Sequence, residues 1–301
     1  MSEEIKLSHR GKIIKDLVAL FNKNEVLRSK FAAGSETAVP EKEYKYSETY
    51  DVEYVNLDNC KAEFIKPKEN ASKWIIIQLH GGGYVGGMKN SYRTLAGLYS
   101  EKGQGAAVIS VDYRLAPEHT FPAALEDAYT AYEWALNRGY SANEIILAGD
   151  SAGGGLALGL CHYLKDNNID LPAAVIAMSP WTDLTGSGAS YKDNVDIDPV
   201  FGSRPEVVIG STYIGEDSGE NPYISPMFGD FTGFPKLLIQ VGTDEMLLSD
   251  SRSVRDKAVA AGVQLEYTEY QGMFHVFQMA GKLIPESKQA WEQVGDFIAG
   301  L

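Results

Sequence analysis

The stretch Ile145-Ile146-Leu147-Ala148-Gly149-Asp150-Ser151-Ala152-Gly153 decides how the rest of the chain is read. Four apolar residues, a length that suits a strand buried on both faces, run into Gly-Asp-Ser-Ala-Gly, and a helix-compatible run from Leu156 to Leu164 follows. A turn this tight leaves no room for side chains on either flank, which accounts for Gly149 and Gly153. It pushes the Ser151 hydroxyl out at the mouth of a sheet, while the following helix aims its first N–H groups at the reacting centre and favours negative charge there. The bare five-residue pattern is common, and its placement between strand and helix gives it weight. Ser151 is the candidate nucleophile.

Working outward, further short apolar, β-branched runs stand at Trp74–Leu79, Ala106–Val111, Ala173–Met178 and Lys236–Val241, and Gln264–Tyr270 reads as one more strand. Between them lie segments of helical period, among them Pro122–Asn137, with proline at its first turn and Gly139 beyond its end, and Pro285–Ile298 closes the chain. Alternating strand and helix predicts an α/β fold with a mostly parallel central sheet and helices on both faces. Two regions break the alternation. Residues 1–50 open with Ile14, Leu17, Val18 and Phe21 at helical spacing and pass into a polar linker; residues 182–231 are rich in Gly, Ser, Asp and Pro and far exceed a usual connection. Both are expected to form a helical cap over the carboxyl edge of a catalytic domain spanning 51–301, with 182–231 as its cap insertion.

The chain has 301 residues, 44% of them hydrophobic, and a formal charge of −14. That suits a globular enzyme with a sizeable core and opposes attraction to nucleic acid, for which no basic stripe compensates. Residues 1–10 lack the apolar core of a signal peptide, and no stretch approaches the roughly 18 apolar residues of a membrane span, so a soluble, cytoplasmic protein with no membrane partner is expected. Cys60 and Cys161 are far apart, without metal or redox spacing, and read as two unpaired thiols. No metal and no cofactor are called for, and homodimerisation is left open.

A serine needs a base, and there are five histidines. On a sheet with this elbow the triad order is serine, acid, histidine, which removes His9, His80 and His119. His162 lies eleven residues along the same helix, about 16 Å from Ser151. His275, in a loop after the last predicted strand, is left as the base. The acid should follow a strand between the two, where it can fix the imidazole tautomer. Asp244, three residues past Val241, is the expected choice; Glu245 and Asp250 compete, Glu245 facing another direction and Asp250 standing where a helix starts. His80-Gly81-Gly82-Gly83 follows a strand, and Gly82 and Gly83 with the N–H of Ala152 make the expected oxyanion hole, His80 being an orienting residue. Gly81, Gly83 and Gly86, with Asp112 ending the next strand, also fit a dinucleotide-binding pattern, but that reading explains neither the elbow nor His275.

With these residues placed, the chain resembles the hormone-sensitive-lipase-like esterases, bacterial lipolytic family four, of the α/β-hydrolase superfamily. The resemblance runs from about Trp74 to Phe277. It includes His80–Tyr84, Tyr113-Arg114-Leu115-Ala116-Pro117-Glu118-His119, Phe121–Asp127, Gly149–Gly154, Ser179–Thr185, Ser225-Pro226 and Val241–Glu245. It implies a serine carboxylesterase working through an acyl-enzyme, with Ser151, Asp244 and His275 as triad and Gly82 and Gly83 at the oxyanion. Relatives that hydrolyse arylformamides or that only bind a hormone supply the alternatives, the second of which requires loss of His275. Two departures stand out: His275-Val276-Phe277 where the family commonly has His-Gly-Phe, and an N-terminal fifty residues with little recognisable. Arg114, Glu118, Glu126 and Asp127 read as structural, while Asp150 either tunes the serine's surroundings or satisfies backbone groups of the elbow. Since Lys192, Asp193, Asp196, Asp198, Glu216 and Asp217 make the insertion polar, small esters with short acyl chains are expected rather than a lipid surface.

Overall fold

The computed structural model describes residues 7–26 and 41–301, so the part of the expected cap at 1–6 and 27–40 lies outside the described residues. Eight strands form one sheet in the order β1-β2-β4-β3-β5-β6-β7-β8. They are β1 Tyr50–Asn56, β2 Lys61–Pro67, β3 Ile75–Leu79, β4 Ala107–Asp112, β5 Ile145–Asp150, β6 Ala174–Met178, β7 Lys236–Gly242 and β8 Leu265–Tyr270. β1, β2 and β4 pair antiparallel, and all pairings from β4 to β8 are parallel.

The parallel strands β3 to β7 read as continuous apolar runs because each feeds two cores, whereas β8, at the edge of the sheet, is mostly half-buried. Ile75, Ile77 and Leu79 of β3 face a cluster built with α3 (Ala123–Asn137), α4 (Ala152–Asp166) and α6 (Leu248–Ala260). Ile76, with Val108, Ile146, Ile176 and Leu238, faces α2 (Asn90–Lys102) and α7 (Pro285–Ala299) on the other side. Each such fully buried side chain contributes about 1.5–3 kcal/mol relative to exposure. The polar Gln78 is accommodated by bonds to Tyr92 O and Ser110 Oγ. β1 and β2 were not expected. β1 alternates Tyr50, Val52 and Tyr54 with Asp51 and Glu53, yet as an edge strand it leaves Val52 and Tyr54 exposed, so its alternation marks no core.

α1 (His9–Lys23) lies near the carboxyl end of the sheet. Its Ile14 and Val18 pack against a small cluster containing Tyr270, Met273, Phe274 and Phe277, and Gly11 sits against Glu286. Leu17, which shares the helical spacing of Ile14 and Val18, is exposed. The stripe is narrower than its spacing suggests because only one side of the helix meets the domain.

The insertion 182–231 carries one short helix, α5 (Ser190–Asp193), and three single turns. Polar bonds fix it to the domain. Asp250 Oδ2 accepts from the N–H groups of Thr182 and Asp183, Ser190 bonds Ser249, and Asn194 Nδ2 donates to the carbonyls of Thr243 and Glu245. Asp198 accepts from Met246 N through one oxygen and from Val200 N and Phe201 N through the other. The surface of the insertion is mixed, since Ile197, Val207 and Ile209 are exposed beside its charges. Among the described residues no helix is long and apolar enough to cross a membrane.

Candidate active site

β5 ends at Asp150 and α4 begins at Ala152, leaving Ser151 alone in the turn with φ 53° and ψ −123°. A non-glycine residue with positive φ is strained, and the strain persists only because the surroundings fix it. Ser151 N donates to Met178 O, and Ser151 O accepts from Trp181 N, each at 2.9 Å. A Cβ on Gly149 would collide with Gly153 backbone, and one on Gly153 with the carbonyl of Leu79, so both flanking glycines are required by close approach.

His275 Nε2 lies 2.9 Å from Ser151 Oγ. Its Nδ1 lies 2.9 Å from Oε2 of Glu245, not from Asp244. This corrects the sequence expectation for the acid. After β7 the chain turns: Asp244 N donates to Met273 O, and the Asp244 carboxylate faces α1, where it pairs with Lys15. Glu245 points inward, is fully buried, and reaches the imidazole with its extra methylene. Neighbouring acids do face different ways, but the inward one is the glutamate. Asp250, also buried, holds the Thr182–Asp183 backbone instead. The ring of Phe201, from the insertion, packs on His275 with centroids 4.6 Å apart. Ser151 and His275 are only 7% and 8% exposed, so access to the pair is narrow.

Gly82 (φ 121°) and Gly83 (φ 65°) adopt backbone conformations that side chains disfavour. Val85 N and Gly86 N fold back on Gly82 O, closing the loop on itself rather than opening it onto a helix as a dinucleotide fingerprint would. Among the described residues the N–H groups of Gly82, Gly83 and Ala152 donate to no protein acceptor, which leaves them for a ligand. His80 is buried, its Nδ1 2.8 Å from Gly81 O and its ring stacked on Tyr113, and burial pushes its pKa down. Asp150 accepts from Gly81 N (3.2 Å) and Tyr92 OH (3.3 Å), tying the elbow to the glycine loop. Burial pushes its carboxyl up to about 6, against the opposing charge of His275 and these donors. His162 is buried against Phe231 and Phe234 with Nε2 3.1 Å from Pro226 O, and burial lowers it to about 4. Arg114 bonds both Asp127 and Glu126.

Sequence reading did not single out Ser179 or Phe201, and it noted Asp198 only as a surface charge. The signal available for Asp198 was Asp-Pro followed by two apolar residues, which suits a turn whose N–H groups need a side-chain acceptor.

Comparison with known proteins gives the family. A family model described as alpha/beta hydrolase fold matches residues 76–279. An acetyl-hydrolase of Streptomyces hygroscopicus is 37% identical over 244 residues, 81% of each chain. An esterase of Acinetobacter venetianus is 35% identical over 254 residues, 84% of this chain and 83% of that one. Among solved structures, an esterase soaked with p-nitrophenyl butyrate matches with TM-score 0.83 and 35% identity, and an esterase from the bacterial hormone-sensitive lipase family with TM-score 0.83 and 31% identity; each match covers 97% of this chain and 98% of the other. On these grounds the chain belongs to the hormone-sensitive-lipase-like esterases of the alpha/beta-hydrolase fold and is a carboxylic-ester hydrolase.

Proposed function

We propose that the protein hydrolyses short-chain acyl esters with Ser151 as nucleophile, His275 as base and Glu245 as the acid that orients it. The observation that carries this reading is the unbroken series Ser151 Oγ, His275 Nε2 and Nδ1, Glu245 Oε2, with 2.9 Å at each contact. Ser151 attacks the ester carbonyl as its proton passes to His275 Nε2, and Glu245 holds the imidazole in the tautomer that can accept it. The N–H groups of Gly82, Gly83 and Ala152 stabilise the oxyanion. His275 returns the proton to the leaving alcohol; water then attacks the acyl-enzyme, and its proton travels through His275 back to Ser151.

α1 and the insertion 182–231 act in this reading as a cap. The narrow exposure of Ser151 and His275, with Phe201 against the imidazole, supports slender substrates. An organophosphate should label Ser151 stoichiometrically in the native protein and far more slowly in His275→Ala. Ser151→Ala should lose turnover by several orders of magnitude, about 10⁶ in the best-studied comparison. Near-native hydrolysis by Ser151→Ala, with a folded protein, would remove the site.

A further inference from the structure

Ser179 follows β6 directly, fully buried, with φ 47°, and its N–H donates to Gln240 O at 2.7 Å. Its hydroxyl stands between the two segments that carry the acid and the base. It donates to Glu245 Oε1 at 2.7 Å and accepts the N–H of Val276, the residue after His275, at 3.1 Å. Val276 itself has φ 52°, where a β-branched residue is a genuine outlier.

The geometry points to Ser179 as a positioning residue for the acid–base pair, acting through Glu245; we infer that its hydroxyl, and not its strained backbone, is what catalysis requires. Glutamate has one more rotatable bond than aspartate and loses more freedom when held in one geometry. Something must restrain it. Gly242 N and the Ser179 hydroxyl both donate to Oε1, which leaves Oε2 for the imidazole. Because the same hydroxyl takes the Val276 N–H, a shift of the histidine loop and a rotation of the carboxylate oppose each other through one oxygen. Donors in series polarise each other, so the arrangement is stiffer than two separate bonds. Alanine would remove both links. Glycine would remove both links and also relieve the left-handed strain.

This inference rests on Glu245 being the acid. The test compares Ser179→Ala and Ser179→Gly, each in the native background and in Glu245→Gln, by kcat and KM on p-nitrophenyl butyrate and by melting temperature. Both single variants are expected to lose about 10- to 100-fold in kcat, the size associated with one hydrogen bond to a charged group, with KM within about twofold. In the Glu245→Gln background, adding Ser179→Ala should cost less than about threefold, because the partner through which it acts is already impaired. Should Ser179→Ala fail to fold, Ser179→Gly, free of the φ penalty, carries the same comparison. Near-native kcat in Ser179→Gly, or an equal fold-loss in both backgrounds, overturns the inference. If Glu245→Gln alone keeps its kcat, the triad reading fails instead.

Discussion

Glu245 and His275 meet at 2.9 Å while Asp244, one residue earlier, turns away to Lys15 on α1. Two adjacent carboxylates thus have separate tasks, one inside the site and one on the seam with the N-terminal helix. Replacing each by its amide separates them. Glu245→Gln should lower kcat by about 10³- to 10⁴-fold, since a wrong imidazole tautomer alone costs on that order. Asp244→Asn should stay within about threefold of native. Initial rates on a small p-nitrophenyl ester decide this, and the opposite ranking would return the acid to Asp244.

The seam itself is predicted to matter for stability rather than for chemistry. Lys15 and Asp244 are both partly exposed, and such pairs are worth about 0.2–1 kcal/mol. Lys15→Ala should therefore lower the melting temperature by only about 1–3 °C at low ionic strength, with kcat within about twofold. In about 1 M salt the difference should shrink, because screening weakens the native pair. A loss that is unchanged by salt would mean that Lys15 acts by packing.

Asp150 gives a prediction in pH. Burial raises its carboxyl to about 6, above the ordinary value near 4. In the window between those values the folded state binds more protons than the unfolded state, so this group's contribution to stability is full below about pH 4 and is lost as pH rises through about 6. Asp150→Asn does not titrate. The melting temperature of the variant minus that of the native protein should rise between about pH 4 and about pH 7, by an amount corresponding to about 3 kcal/mol at most. A difference that is flat in pH would show that Asp150 is not held protonated by burial.

Substrate length is the fourth expectation. Each methylene buried in a pocket contributes about 0.8 kcal/mol, roughly fourfold in affinity, until the pocket is full. kcat/KM should peak at acyl chains of about 2–6 carbons and fall well below the peak by about 12. No rise in rate is expected as a long-chain ester passes its solubility limit. A jump at that limit would make the protein a lipase working at an interface.

The parts of this molecule that could be read from the sequence are those in which a local pattern has only one physical solution. Five parallel strands, β3 to β7, stand within a residue or two of their apolar runs because burial on both faces demands such runs. The elbow was legible because Gly149 and Gly153 flank a serine between strand and helix, and His275 because order along the chain and distance removed the other four histidines. The contact of Glu245 with His275 was not legible. In a turn no period relates sequence position to direction, and the path of the chain after Gly242 is set by Met273 O and by bonds from the distant insertion. The exposure of Leu17 was not legible for a related reason: helical spacing defines a face but not how much of it a neighbour covers.

Asp198 carries a further consequence. One carboxylate, almost wholly buried, seats both the backbone just after Glu245 and the turn that presses Phe201 onto His275. Swinging that turn outward would carry its two local bonds with it but break the one from Met246 N, leaving a buried donor and a buried carboxylate oxygen without each other at a cost of about 1–3 kcal/mol. The wall that Phe201 makes beside the imidazole is therefore held in place by this carboxylate. Warming or cosolvent should not widen this enzyme's range toward bulky esters. Widening it takes a smaller side chain at position 201.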